Sequence, residues 1–401
     1  MSTLSQFRPA EFRAQRFAVE FEYPVIFCRD AFDTANPNLA WAIARREPER
    51  QHPLFVVVDA GVAAVWPELT QQIAAYVRGF ADTLRLLAPP RFVPGGEDAK
   101  NDPALIADLQ ADFARAKLDR QGVLLIIGGG AVLDAVGYAG STTHRGVRVV
   151  RMPSTVLAQN DAGIGVKTSV NAFSAKNFLG TFAPPFAVLN DASLLRTLPL
   201  RDVRAGLAEA IKVALIRDVK FFHWLEEHAP ALKRAESTAL EAAIRRCAEL
   251  HLEHIASAGD PFEQGSARPL DYGHWCAHKL ETLSQHELSH GEAVALGMAL
   301  DACYAVKRGL LQPAALERIC SLLEALGLRV YDEHLSLEEG GRLAILRGLQ
   351  EFREHLGGTL TITLLTGLGS AVEVSEMDEG TVASAVAWLK ERQTRPCSYA
   401  S

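Results

Sequence analysis

Val123-Leu-Leu-Ile-Ile-Gly-Gly-Gly-Ala-Val-Leu-Asp134 passes from five aliphatic residues straight into three glycines and a helix-compatible segment. A short leucine- and isoleucine-rich run of this kind suits a strand buried on both faces, as in a parallel sheet. Glycines at a strand-to-helix crossing let backbone approach a pyrophosphate, and the helix N-terminus adds N–H donors and a favourable dipole. The spacing is GGGxxxD and not GxGxxG, so a conventional Rossmann site is not expected in detail. A glycine-rich turn at a sheet edge, with no ligand, is the plainer alternative.

The pattern repeats on either side. Arg16 to Phe27 alternates apolar and polar residues and reads as an edge strand or hairpin, and Leu54–Asp59 reads as a second buried strand. Amphipathic helices are expected over about 64–80 and 103–117, with short strands at 91–93, 147–150 and 186–189. This βαβα order predicts an α/β nucleotide-binding domain over 1–198 with a mostly parallel sheet. Beyond Thr197 and Leu198 the 3.6-residue period dominates. An all-α domain is expected over 199–401, with helices at 313–326 and 337–350 and one late strand at 359–365. At 401 residues the chain is too long for one compact core. A net charge of −7 argues against a nucleic-acid surface, and no apolar run is long enough to span a bilayer. The first residues lack the layout of a secretory signal, and the six cysteines form no CxxC pair. A cytoplasmic protein without a membrane or nucleic-acid partner is therefore expected.

Chemistry is concentrated in three places. Asp271-Tyr-Gly-His274-Trp-Cys-Ala-His278 places two imidazoles four residues apart on one helical face, His290-Gly-Glu292 follows, and Glu209 lies in another helical stretch upstream. Neutral imidazoles with a carboxylate can hold a divalent ion and leave a position open, although ordinary solvated helices carry such residues too. Between the halves runs a polar stretch with Ser154, Thr155, Asp161, Lys167, Lys176 and Asn177, and Arg145 lies just before it. Such a stretch is a solvated loop or a recognition site for a phosphorylated substrate. Asp59 at a strand end, and Glu97 and Lys100 after a Gly-Gly turn, are placed to meet ribose hydroxyls.

Taken in order, GGGxxxD, Pro-Ser-Thr-x-Leu-Ala-Gln-x-Asp, Gly-x-Lys-Thr, Lys-Asn, Gly-Leu-Ala-Glu-x-Ile-Lys, Gly-His-x-x-x-His and His-Gly-Glu-Ala-Val resemble the dehydroquinate synthase-like sugar phosphate cyclases. The resemblance runs from about Leu54 to Ala305. It implies a nucleotide-binding α/β domain, a helical domain and an active site in the cleft between them. It implies Glu209, His274 and His290 as ligands of Zn2+ or Co2+, and moves His278 from the metal to the substrate phosphate. NAD would lie on Asp59, Glu97, Lys100, Gly129, Gly130, Asp134, Ser154, Thr155 and Thr197, with Lys167 and Lys176 reaching in. Asp161, Lys167, Asn177, Lys212, His278 and Asp271 would face substrate, and Arg145 would act across a homodimer interface. The implied reaction is redox-neutral: oxidation by NAD, β-elimination of phosphate, re-reduction and aldol closure of a carbocycle.

Departures from the dehydroquinate pattern bear on the substrate. The family's Lys-x-x-Val-Val-x-x-Asp is set against a segment whose lysine position is Glu253. The following arginine position is Ala267, with Arg268 one step along, and the asparagine is Asp271. A keto-acid carboxylate would lose its cations there and meet like charge. The string from Gly259 to Trp275, with Phe352-Arg-Glu-His355-Leu-Gly-Gly358, resembles the sedoheptulose 7-phosphate cyclases, which make valiolone-type C7 cyclitols. The rival expectations are a 3-dehydroquinate synthase, a metal-dependent polyol dehydrogenase and a nucleotide-binding interaction protein.

Overall fold

The computed structural model describes residues 13–173, 175–257, 261–262, 269–355 and 360–394. Strands β1 (Val25–Cys28), β2 (His52–Asp59), β3 (Leu84–Leu86), β4 (Arg91–Val93), β5 (Val123–Gly128), β6 (Arg148–Pro153) and, after an excursion described below, β9 (Ala187–Asp191) form one sheet. Its order is β1-β9-β6-β5-β2-β3, with β4 also on β2, and every pairing is parallel. β2 and β5 are buried along their whole length, as their unbroken aliphatic runs require. Helices α1 (Asn38–Ala44), α2 (Ala60–Val65), α3 (Leu69–Gly79), α4 (Asp98–Asn101), α5 (Pro103–Arg115), α6 (Gly130–Thr142) and α7 (Val156–Asn160) occupy the crossovers. Two aliphatic clusters, one on each face of the sheet, supply the core of this half.

Three expectations for this half need correction. Residues 13–24 are not a strand; only Val25–Cys28 joins the sheet, because the alternation before it has no neighbour to bury against. The helix expected at 64–80 is two helices, parted at Trp66–Glu68, where Pro67 removes a donor. The polar stretch before residue 182 is not a loop. It is an antiparallel ribbon, β7 (Lys167–Ala172) with β8 (Ala175–Phe182), which pairs with no strand of the main sheet and packs β7 against α6.

The second half is helical. Helices α8 (Leu200–Arg217), α9 (Val219–Lys233), α10 (Ser237–Ser257), α11 (His274–Leu283), α12 (His290–Lys307), α13 (Pro313–Ala325), α14 (Arg347–His355) and α15 (Glu379–Thr394) share one large core. α12 is buried from Ala293 to Ala305, and the other helices pack around it. Two small hairpins qualify the all-α expectation. β10 (Glu338–Glu339) pairs with β11 (Arg342–Leu343), and β12 (Ile362–Gly367), the late strand, pairs with β13 (Ser370–Val374). The helix expected at 337–350 therefore begins only at Arg347, since Gly340 and Gly341 take left-handed backbone and turn the chain. Leu198 lies between β9 and α8, where we propose the division between the halves. No helix among the described residues is long and apolar enough to cross a membrane.

Backbone contacts fix α11 and α12 to their neighbours. A Cβ at Gly297 would stand 2.1 Å from the carbonyl oxygen of Gly273, and one at Gly291 would stand 2.0 Å from that of Ala205 in α8. Neither neighbour is a flexible side chain. Gly291→Ala is therefore expected to destabilise the fold by roughly 3 kcal/mol or more, read as a loss of thermal midpoint and soluble yield.

Candidate active site

The carboxyl ends of β2, β5, β6 and β9 meet the N-termini of helices along one edge of the sheet. At this edge Asp59 caps α2, its carboxylate accepting from Gly61 N at 2.8 Å. Thr155 caps α7, accepting from Ala158 N at 3.1 Å. α6 has no such cap: Gly129 precedes it in extended backbone and no side chain takes its first N–H groups. Those donors are open to an anion. A Cβ on Gly129 would come within 3.3 Å of Thr155, and one on Gly130 within 3.3 Å of Ala162. Ser154 N donates to Gly128 O at 2.9 Å, tying β5 to the turn after β6.

Behind this crossing lies a polar network. Buried Lys100 donates to Asp134 at 2.8 Å and to Asn177, which also accepts from Ser169 at 2.8 Å. Burial pushes the Asp134 carboxyl upward against the pull of Lys100. Asn171 donates to Glu97 at 2.9 Å. Lys100, Asp134, Glu97 and Asn177 are thus brought together by α4, α6 and the ribbon.

The ribbon and the helical half enclose a cavity of about 550 Å³. Asp134, Asp161, Lys167, Asn177, Lys212, Asp271 and His274 all line it, so residues singled out from both halves converge here. Its loop wall is held from below by Arg151, which is 1% exposed and donates to Gly165 O at 2.7 Å and Lys167 O at 3.1 Å. Burial disfavours the charge on Asp161, but His251, Lys212 and Lys167 outweigh it and lower its pKa.

Glu209 and Lys212, one turn apart on α8, are nearly sealed from solvent, with Lys212 Nζ 2.8 Å from Glu209 Oε1. That oxygen nevertheless lacks a partner in hydrogen-bond geometry. Burial pushes the Glu209 carboxyl up to about 7, whereas Glu209 and Asp161 overcome burial at Lys212 and keep it charged. Across the cleft the rings of His274, His278 and His290 lie 5.3 to 5.9 Å apart, centre to centre. His274 Nδ1 is 3.1 Å from the carbonyl of Tyr272, which can only accept, so its lone pair is on Nε2. Burial, with Lys212 nearby, drives its pKa well below the ordinary value and keeps it neutral, the form that ligates metal.

Glu209, His274 and His290 do not form one ready triad. The groups whose donor atoms lie within 4.8 Å of one another are Asp161, Glu209 and His251, and separately His278, Glu281 and His290. Arg145 lies in an exposed turn with left-handed backbone, φ 64°, and Thr197 is exposed before α8; neither lines the cavity.

The expectation for Glu253 is overturned. Glu253 is exposed, while α10 buries Ala243, Cys247, Leu250 and His251, and His251 reaches the cavity with Nε2 3.4 Å from Asp161. Two residues along a helix turn the side chain roughly 200° away, so His251 and Glu253 cannot share that wall. Ala267 and Arg268 lie outside the described residues, as do Leu356–Gly358 and the side chain of His355. Sequence reading also passed over Glu281, Arg151 and Asp301. Glu281 sits three residues after His278, one helical turn on, which is a usable signal. Arg151 and Asp301 are single charges inside apolar runs and carry no local sign of their role.

The N-terminal 3-dehydroquinate synthase model matches residues 91–205, and the C-terminal 3-dehydroquinate synthase model matches residues 206–343. This chain is a member of the 3-dehydroquinate synthase family. It is 35% identical over 367 residues to 2-epi-5-epi-valiolone synthase of Streptomyces glaucescens, covering 89% of this chain and 88% of that one. It is 40% identical over 295 residues to 3-dehydroquinate synthase of Dichelobacter nodosus, covering 73% and 78%. Among solved structures, 2-epi-5-epi-valiolone synthase ValA of Streptomyces hygroscopicus subsp. jinggangensis, with NAD+ and Zn2+ bound, superposes with a TM-score of 0.82. That match is 31% identical and covers 95% of this chain and all of ValA.

Asp301 anchors the turn that carries His274. One carboxylate oxygen accepts from Trp275 Nε1 at 2.8 Å and the other from Gly273 N at 3.1 Å. Burial raises its pKa from 3.8 to about 7 despite these donors. The fold favours its protonated form, so the stability it contributes is complete below pH 3.8 and is lost as pH rises through about 7. In metal-free protein, the thermal midpoint is expected to fall between pH 5 and pH 8, and to fall less in Asp301→Asn.

Proposed function

We propose that this sugar phosphate cyclase acts on sedoheptulose 7-phosphate and closes it to a valiolone-type C7 cyclitol. The observation that carries the substrate reading is the charge of the cavity wall. Its described lining has two lysines, Lys167 and Lys212, against the carboxylates Asp134, Asp161 and Asp271, and no arginine. His251 stands on the α10 wall with its pKa lowered by burial, and so is neutral near pH 7. With three carboxylates against two lysines the described wall is already net acidic, so the extra carboxylate of a keto-acid phosphate meets like charge, whereas a ketose phosphate brings a single anion and many hydroxyls.

The residues fit the cofactors the family implies. Glu209 is a carboxylate almost wholly buried, at present ion-paired with Lys212, and His274 is neutral with its Nε2 lone pair available, so carboxylate and imidazole donors suit Zn2+ or Co2+ on Glu209, His274 and His290. The uncapped start of α6 and the close approaches at Gly129 and Gly130 suit the pyrophosphate of NAD. When bound, the metal polarises substrate oxygens and NAD reversibly accepts hydride, so the net reaction is loss of phosphate.

The chain's own groups then divide the work. Lys167 and Asn177 hold the phosphate from the ribbon side, with His278 facing the same group. Lys212 and Asp161 orient hydroxyls at the cavity floor, where burial strengthens each charge-assisted contact. Asp271 adds a carboxylate to the same lining. Enclosure between ribbon and helices limits water around the intermediates. Arg145 completes the site from the partner in a homodimer, and the cytoplasm is the proposed compartment.

Phosphate release by the zinc- and NAD-loaded protein tests this reading, with sedoheptulose 7-phosphate and the seven-carbon keto-acid phosphate supplied separately. Release from the ketose alone, without build-up of 340-nm absorbance, is expected. Release from the keto acid alone would replace this reading with a 3-dehydroquinate synthase, and steady NADH production would indicate a dehydrogenase. His251→Lys is expected to shift the kcat/KM ratio toward the keto acid by roughly tenfold or more, the worth of one charge-assisted contact of about 1.5 kcal/mol. Glu253→Lys, on the outer face of α10, should leave the ratio unchanged.

A further inference from the structure

Of the three proposed metal ligands, His290 has a second ring nitrogen that meets a charged group. Its Nδ1 is 3.1 Å from Glu281 Oε2, and Glu281 Oε1 is 2.8 Å from Lys176 Nζ. Glu281 is 3% exposed, so this carboxylate is held by two cationic or N–H partners in a nearly dry setting. A carboxylate engaged by an ammonium only accepts, so Nδ1 of His290 carries the proton and the lone pair is on Nε2. Both oxygens of Glu281 are already occupied, which argues against its being a ligand itself, although it falls within 4.8 Å of His278 and His290 donor atoms.

The two partners of Glu281 come from different halves of the molecule. His290 opens α12, and Lys176 lies on β8 of the ribbon, 105 residues before Glu281. Lys176 also lies 3.9 Å from Glu97, on the nucleotide-binding side. The carboxylate is therefore fixed from the ribbon and fixes the imidazole in turn.

We propose that Glu281 is a positioning residue for His290: it sets the tautomer and ring orientation that aim Nε2 at the metal, and Lys176 anchors it in that role. The inference rests on the metal reading given above. Carboxylates that hold a ligating imidazole in this way raise its basicity and restrict its rotation.

The full chain and its Glu281→Ala and Glu281→Gln variants are compared by two readouts that do not depend on turnover. These are Zn2+ affinity, by competition with a chromophoric chelator, and the visible absorption of the Co2+ form. Circular dichroism of the metal-free proteins reports folding. Glu281→Ala is expected to weaken Zn2+ binding roughly 10- to 100-fold and to shift the cobalt bands. Glu281→Gln, whose amide oxygen still accepts from Nδ1–H, should retain part of the affinity and would carry the test if the alanine variant fails to fold. Unchanged affinity and cobalt bands in both folded variants would overturn the proposal. So would complete loss of binding in Glu281→Ala and His278→Gln with full binding in Glu209→Gln, which would make Glu281 a ligand. A wild-type chain with no tight Zn2+ site would overturn the metal reading itself, an outcome separable from the others because the variants never enter it.

Discussion

All seven strands of the main sheet run in one direction, and this places every strand end of one polarity along a single edge. Asp59, Gly128, Pro153 and Asp191 terminate their strands there, and the helices or turns that follow start there. Helix N-termini carry unsatisfied N–H groups and partial positive charge, so such an edge attracts anions before any side chain is considered. The helical half packs against it closely. A Cβ on Gly206 of α8 would lie 2.6 Å from Leu157 N in α7. The cavity is what remains between a fixed sheet edge and a fixed helix stack, with the ribbon as its third wall.

Its interior is governed by charges held away from water. Glu209 and Lys212 are almost wholly buried on one helix, and Arg151 lies beneath the loop that carries Asp161. Such groups cost much to desolvate and persist where several partners compensate them. The compensation crosses the seam: Asp161 from the sheet half meets His251 from α10, and Lys176 from the ribbon meets Glu281 from α11. The Lys176–Glu281 pair resists separation, since parting the halves would leave a charge uncompensated on each side, and Asp161 would lose its imidazole contact. The two contacts also join the electrostatics of the imidazole-bearing helices to those of the sheet edge and ribbon.

Much of this was legible in the residues. The passage from Val123–Ile127 into three glycines announced a buried strand and an open helix start, because both depend on local composition. The ordered motifs pointed to Asp134, Asp161, Lys167, Asn177, Lys212, Asp271 and His274, all of which line the cavity. The β7–β8 ribbon was not legible. β7 buries Thr168, Ser169 and Val170 in succession, two of them polar, and no residue of β8 is buried, so neither strand shows the one-sided apolar alternation by which strands are read. The α10 wall was misassigned for a different reason. Its phase is set by Ala243, Cys247 and Leu250, whose spacing points His251 inward and Glu253 outward. A motif aligned without that phase selected a side chain on the wrong face. Arg151 and Glu281 owe their roles to partners far away in the chain, which no local window contains.

The glycine contacts at 273, 291 and 297 bear on how such a site can diversify. They weld α8, α11 and α12 into one block through backbone-to-backbone approach, and backbone has no smaller version to offer in compensation. Substitution there is closed off by sterics whatever its chemical merit, so the helices that carry the imidazoles cannot shift independently. Among the described residues α10 contains no glycine, and the close approach of Gly180 to the Thr168 carbonyl lies within the ribbon itself, so side chains on these two walls can be exchanged without moving a helix axis. Side-chain changes on those two walls can therefore alter the cavity lining while the helix block stays in place, a division of labour written into the packing.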